Sequence, residues 1–198
     1  MSRLAVFGYG SLVSPASAAL SLGRPVEPAA MVRLAGWRRR WTTFRDNRAS
    51  EKTFALADGT LPLHVVGLNL ERDPGCEGAN GALIEVTEAE AERLDLREMR
   101  YERIDVTADV CPLPGAGDSL PRFDQVIAYT AKPHHHAPEP PPGAIVIAAY
   151  VRTVEAAFAA LGPRHAELYR STTAPPPVEP VEAELVRDAI PEGNPRSW

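Results

Sequence analysis

Leu4-Ala5-Val6-Phe7 is an unbroken apolar run that stops at Gly8-Tyr9-Gly10-Ser11-Leu12, and Ser14-Pro15 follows directly. The run reads as a buried first strand. The two glycines let the backbone turn sharply and leave amide groups uncovered. Serine followed by proline is a helix-start pattern. The resulting order is strand, bare-amide loop, helix N-terminus, and such a loop suits an anion because several N–H groups point at one spot. Two familiar loops are excluded. A dinucleotide fingerprint needs glycine at position 13, where Val13 stands. A nucleophile elbow needs Gly-x-Ser-x-Gly, but Gly10 directly precedes Ser11 and valine again occupies position 13. Taken by itself the loop reads equally well as an ordinary glycine-rich turn.

The chain has 198 residues, 44% of them hydrophobic, enough for one full core. A formal charge of −5 argues against a general nucleic-acid binder. No apolar run reaches membrane-spanning length, and the start Met1-Ser2-Arg3 lacks a signal-peptide pattern, so a cytoplasmic location is expected. Cys76 and Cys111 do not make a disulfide framework.

Along the chain, residues 15–22 are expected as a short helix closed by Gly23 and Pro25. Residues 31–34 and 37–44 read as strands around a turn at Ala35-Gly36. The arginines Arg38, Arg39, Arg40, Arg45 and Arg48, interleaved with Trp37, Trp41 and Phe44, read as one snorkelling or ion-paired strand face. Residues 46–60 are a loop and 61–70 a strand with a bulge at Gly67, where His64 is a sheet-face histidine. Residues 71–80 form a second loop ending in an Asn80-Gly81 tight turn, and 82–86 a strand. Thr87-Glu88-Ala89-Glu90 is a capping box that starts a helix running to about Arg97. Residues 101–110 are a strand, 112–122 a loop and 123–129 a further strand.

His134-His135-His136 sits in a Pro-rich connector, and adjacent histidines cannot easily face one metal from a regular element, so no metal site is expected. Residues 144–161 carry a helical apolar period ended by Gly162-Pro163, and 164–170 a second short helix. The domain is expected over residues 1–173, with a Pro-rich tail over 174–198 that holds a helical piece at 182–190. This order lacks strict βαβ alternation, so the fold class is α+β, a compact mixed β-barrel or curved sheet with a few packed helices.

The stretch Leu94-Asp95-Leu96-Arg97-Glu98-Met99-Arg100-Tyr101-Glu102-Arg103-Ile104-Asp105-Val106 is dense in charge. On its own it reads as a solvated helix end followed by an amphipathic strand. Paired with Tyr9-Gly10-Ser11-Leu12 some 85 residues upstream, Leu94-Asp95 with Glu98, then Tyr101, Arg103 and Val106, resembles the γ-glutamylcyclotransferase-like family. The resemblance covers roughly residues 3–130, and Asn80-Gly81 before the strand and capped helix also fits it. Two departures stand out: Met99 replaces the glycine that often follows the family's catalytic glutamate, and the spacing from glutamate to tyrosine is one residue shorter.

What the resemblance implies is a compact barrel-like domain with a central cavity. Tyr9, Gly10, Ser11 and Leu12 would bind the γ-glutamyl group through backbone amides, and Tyr101 and Arg103 would either orient the carboxylate or bind substrate, or serve a structural role on the strand. Glu98 would be the catalytic acid/base, with Glu102 the poorer choice because it points away from Tyr101 and Arg103 in a strand. The implied reaction is attack by a γ-glutamyl α-amine on its own δ-carbonyl, releasing 5-oxoproline and a free amine or amino acid, with no cofactor. The expected partner is this small-molecule substrate, with neither nucleic acid nor membrane, in a monomer or homodimer. A non-catalytic module that holds a small carboxylate on the same fold is the alternative, and a scaffold acting through the Pro-rich segments is a third.

Overall fold

The computed structural model describes residues 2–115, 119–190, 192 and 194. Its centre is β1 (Leu4–Gly8), whose side chains alternate between two cores. Ala5 and Phe7 face one, Leu4 and Val6 the other, which is why the run is apolar without a break. β1 pairs antiparallel with β6 (Ala79–Val86) and parallel with β9 (Gln125–Ala131). β2 (Ala30–Leu34) extends the sheet beyond β6, and β8 (Val110–Pro112) follows it. β7 (Tyr101–Asp105) closes the other edge against β9, giving six strands.

A second sheet of four strands joins β3 (Trp37–Asp46), β5 (His64–Arg72), β10 (Ala144–Ile147) and β11 (Pro180–Val181). A third pairs β4 (Lys52–Ala55) with β12 (Glu184–Asp188). The curved sheets do not close into a barrel, and the architecture is mixed α+β.

Helices α1 (Pro15–Leu22) and α2 (Glu88–Arg97) cover one face of the first sheet through Ala18, Leu22, Ala91 and Leu94. The caps are as expected: Ser14 caps α1, and Thr87 with Glu90 forms the capping box of α2. Helices α3 (Ala148–Ala160) and α4 (Pro163–Ser171) pack on the other core through Val154, Phe158 and Tyr169.

Several expectations are corrected. Asn80 and Gly81 lie inside β6, not in a turn. A Cβ at Gly81 would come 2.4 Å from the Gly8 carbonyl oxygen and 2.5 Å from the Phe7 ring, so close backbone approach is what calls for glycine. The irregularity expected at Gly67 is carried by its partner strand, between Arg40 and Thr43. The loop over 46–60 contains β4, and the helical piece over 182–190 is β12, the partner of β4. The strand over 101–110 breaks after Asp105 into a 3₁₀ turn before β8. Residues 144–147 are a parallel strand, and the helix begins only at Ala148. The arginine run is not one face: Arg38 and Arg40 pair with Asp73 and Glu71, whereas Arg39 is 0% exposed. Part of the loop expected over 112–122, residues 116–118, lies outside the described residues.

Candidate active site

The chain after β1 turns through a single 3₁₀ turn, Ser11–Val13, before Ser14 starts α1. Val13 N–H donates to the Gly10 carbonyl at 3.1 Å and Ser14 N–H to that of Ser11 at 3.1 Å. The amides of Gly10, Ser11 and Leu12 have no acceptor among the described residues. These donors line a small cleft of about 60 Å³, together with Glu98, Tyr101, Tyr129 and Tyr150.

Glu98 arrives from α2. It is the C-cap residue: its N–H donates to the Leu94 carbonyl at 2.8 Å, and its own carbonyl accepts from Tyr101 N–H at 2.8 Å. That tight turn into β7 fixes the carboxylate beside the loop, with the side chain 19% exposed. Arg97 ties the two segments together. Its guanidinium donates to Ser11 Oγ at 3.0 Å and to Ser21 Oγ, and its Nε lies 3.4 Å from Glu98 Oε1.

Four phenols surround this point. Tyr9 donates to the Tyr129 carbonyl at 2.8 Å, and Tyr101 to the Leu68 carbonyl at 2.7 Å. Tyr129 in turn donates to Asp95 Oδ1 at 2.7 Å. Tyr150 packs over the loop, its hydroxyl 3.3 Å from where a Cβ at Gly10 would lie. Burial is the main cause that raises the Tyr9, Tyr129 and Tyr150 hydroxyls above the usual phenol range, and the Glu98 charge adds to it. The phenols therefore remain neutral donors at ordinary pH.

Behind the loop, Arg39 donates from Nε to the Tyr9 carbonyl at 2.8 Å. Its other nitrogens donate to Asn80 O, Asn80 Oδ1 (2.8 Å) and the hydroxyls of Thr172 and Thr173 (2.9 and 3.3 Å). Its guanidinium lies beside the stacked pair Phe158 and Tyr169, 4.7 and 5.0 Å from their ring centres, which are 4.6 Å apart.

A larger cavity of about 320 Å³ adjoins the small cleft. Ser11, Glu98, Tyr101 and Tyr150 line both. Strands β3, β4, β5 and β10 supply the larger cavity's apolar wall, with Phe44, Phe54, Val65 and Ile147, and Arg45, Arg97 and Arg100 reach it as well.

Of the residues singled out from sequence, Tyr9, Gly10, Ser11, Leu12, Glu98 and Tyr101 share the small cleft. Arg103 lines neither cavity; it pairs with Asp95 at 3.0 Å and Glu88 at 2.9 Å and so holds α2 to β7. Arg39, Arg97 and Tyr150 were not among the expected site residues. For Arg39 a signal existed, because Trp37, Arg39 and Trp41 fall on one strand face and both tryptophans are buried.

No protein-family model and no curated protein sequence matches the chain. Solved structures do. A structure titled gamma-glutamyl cyclotransferase aligns with a TM-score of 0.59 at 14% identity, over 90% of this chain and 89% of that one. Uncharacterized protein loc79017 from Homo sapiens aligns at 0.60 and 13% identity, over 92% and 95%. YkqA from Bacillus subtilis aligns at 0.52 and 18% identity, where 85% of this chain spans about half of that one (53%). At these identities the likeness is one of fold. Among the described residues no helix is long and apolar enough to cross a membrane.

Proposed function

We propose that this protein is a γ-glutamylcyclotransferase-type enzyme, with the small cleft as its reaction centre. The observation that carries the reading is the meeting, in one cleft, of three loop amides lacking an acceptor among the described residues and the Glu98 carboxylate. The fold shared with a gamma-glutamyl cyclotransferase supports it.

The reaction follows from the residue types. A γ-glutamyl α-amine is largely protonated near neutral pH and cannot attack until it loses a proton. Glu98 takes that proton. The α-nitrogen then forms a bond to the δ-carbon, and negative charge develops on the carbonyl oxygen. The amides of Gly10, Ser11 and Leu12 donate to that oxygen or to the α-carboxylate. The bond from the δ-carbon to the amide nitrogen breaks as Glu98 passes its proton to the departing nitrogen, and the ring nitrogen then gives its second proton to Glu98, from which it passes to the free amine. The products are 5-oxoproline and a free amine. Ring closure is intramolecular, so the protein's main task is to hold the substrate folded. Tyr101 and Tyr150 shape the cleft around the closing ring. Arg97 is assigned a positioning role through Ser11 and Glu98.

The test is incubation of the purified protein with a mixed panel of γ-glutamyl peptides and amides, read as 5-oxoproline by mass spectrometry. The parent is expected to turn over at least one member, and Glu98→Gln to lose at least about a hundredfold. Product formation that survives Glu98→Gln moves the base elsewhere. Binding without product from any member favours a carboxylate-binding module.

A further inference from the structure

The larger cavity has more than one use on size alone, and its position narrows them. We propose that it seats the departing amine, and that it selects γ-glutamyl amides whose amine part is bulky, apolar and not cationic. This inference rests on the cyclotransferase reading of the small cleft.

The first argument is connectivity. A γ-glutamyl head held at the loop amides beside Glu98 has its scissile nitrogen at the outer end. The larger cavity continues from that end, because Ser11, Glu98, Tyr101 and Tyr150 belong to both spaces. At about 320 Å³ against about 60 Å³, the outer space is sized for a group larger than the γ-glutamyl head itself.

The second argument is the wall. Phe54, Val65 and Ile147 form a small core of their own, and one side of it faces the cavity with Phe44. Leu20 of α1 lines the same cavity with 60% of its surface exposed. An amine bearing an aromatic or branched aliphatic body would cover these surfaces, and each methylene so buried is worth roughly a fourfold gain in binding.

The third argument is charge. Arg45, Arg97 and Arg100 reach the cavity, against the single carboxylate Glu98 in the wall and Glu51 behind Arg100. Glu51 pairs with Arg100 and Glu98 lies beside Arg97, and the described lining residues offer a remote ammonium on the departing group no carboxylate besides Glu98, so polyamine-like amines are disfavoured.

The experiment uses the full-length protein and a matched series: the γ-glutamyl amides of methylamine, phenethylamine, pentylamine and 1,4-diaminobutane. Affinity is measured by calorimetry on Glu98→Gln, which reads binding without turnover, and kcat/KM on the parent. The phenethylamide is expected to bind at least about thirtyfold tighter than the methylamide. The diaminobutane conjugate is expected to bind at least about tenfold more weakly than the pentylamide. Phe54→Ala should reduce phenethylamide affinity at least about tenfold and leave the methylamide within about twofold. Equal affinities across the series, or tightest binding of the diaminobutane conjugate, overturn the proposal whatever the turnover. The expected order without 5-oxoproline from any amide keeps the cavity assignment and sinks the cyclotransferase reading instead.

Discussion

Arg39 Nε donates to the carbonyl oxygen of Tyr9 at 2.8 Å from within the core, so a fully buried cation grips the loop that lines the cleft. No carboxylate is among its described partners; backbone oxygens, an amide, two hydroxyls and two aromatic rings satisfy it instead. Burial lowers its pKa to about 10, and it stays charged at neutral pH. Arg39→Met would strand the Tyr9 and Asn80 acceptors, at a cost of about 3 kcal/mol or more. For a chain of this size that corresponds to a Tm lower by about 6–12 °C. Arg39→Lys keeps the charge but not the fork and should fall between. Thermal unfolding followed by circular dichroism checks both, and a Tm within about 2 °C of the parent would remove the network from the account of loop stability.

Gly81 gives a sharper test of packing. A methyl there meets the Gly8 carbonyl and the Phe7 ring inside contact distance, where β6 and β1 pair. Gly81→Ala is expected to destabilise by about 3 kcal/mol or more, by overpacking and not by any loss of turn geometry. Chemical denaturation should show the midpoint falling with the slope unchanged. Gly59→Ala is a useful contrast: nothing lies near its Cβ, and only its positive φ of 81° opposes the change.

These two sites show where the sequence was legible and where it was not. The loop and both helix caps are local signals, read within a few residues, and the structure has the expected elements there, whereas Glu98 was singled out only through the resemblance that pairs its stretch with the loop. Asn80-Gly81 carries the same letters as a hairpin turn, but the requirement that selects glycine is a neighbouring strand 73 positions away in sequence at Gly8. Ile145, Ala148 and Val151 fit a helical period, yet Ile145-Val146-Ile147 is β-branched and finds β5 and β11 to pair with. β4 and β12 are invisible locally because each is defined only by the other. Arg39 was hidden inside a charged run, although the two-residue period of the tryptophans flanking it placed it on the buried face.

Arg97 joins loop and base, and its removal separates positioning from folding. Arg97→Met loses the donors to Ser11 and Ser21 and the cation beside Glu98. On the best γ-glutamyl amide, kcat is expected to fall at least about tenfold with KM changed by less than about threefold, because the catalytic geometry loosens while the loop amides and the apolar wall of the outer cavity remain. Arg97→Lys should recover part of kcat. A fall in Tm large enough to explain the lost activity would make Arg97 a structural residue.

The phenols predict the behaviour in alkali. The chain has five tyrosines, and Tyr9, Tyr129, Tyr150 and Tyr169 are all raised, chiefly by burial, Tyr169 to about 12. A phenol whose folded pKa is raised contributes stability that is complete below the unfolded value near 10. It is lost as pH rises toward the folded value, because the unfolded state sheds its protons first. Stability should therefore hold up to about pH 10 and decline above it. Absorbance of tyrosinate at about pH 11 should report Tyr9, Tyr129, Tyr150 and Tyr169 largely protonated in the native chain, and most of all five phenols ionised after unfolding. Full ionisation before unfolding would contradict the burial of the cleft.

The tail belongs to the cavity by the same pairing logic. β12 is the partner strand of β4, with Leu185 opposite Phe54, and Asp188 Oδ2 lies 3.9 Å from the Nζ of the buried Lys52. Phe54 is part of the outer cavity's wall. Ending the chain after Ala183 leaves β4 as an unpaired edge and frees Phe54 to move. The first sheet and the loop make no use of β12, and near Glu98 the truncation removes, among the described residues, only the Asn194 donor to the Leu96 carbonyl, so chemistry on a small amide should largely persist. The expected result is a KM for the γ-glutamyl phenethylamide raised at least about fivefold, with the methylamide within about twofold. A uniform loss across both amides would mean that β12 supports the whole fold, and no change in either would mean that Phe54 is held by Val65 and Ile147 alone.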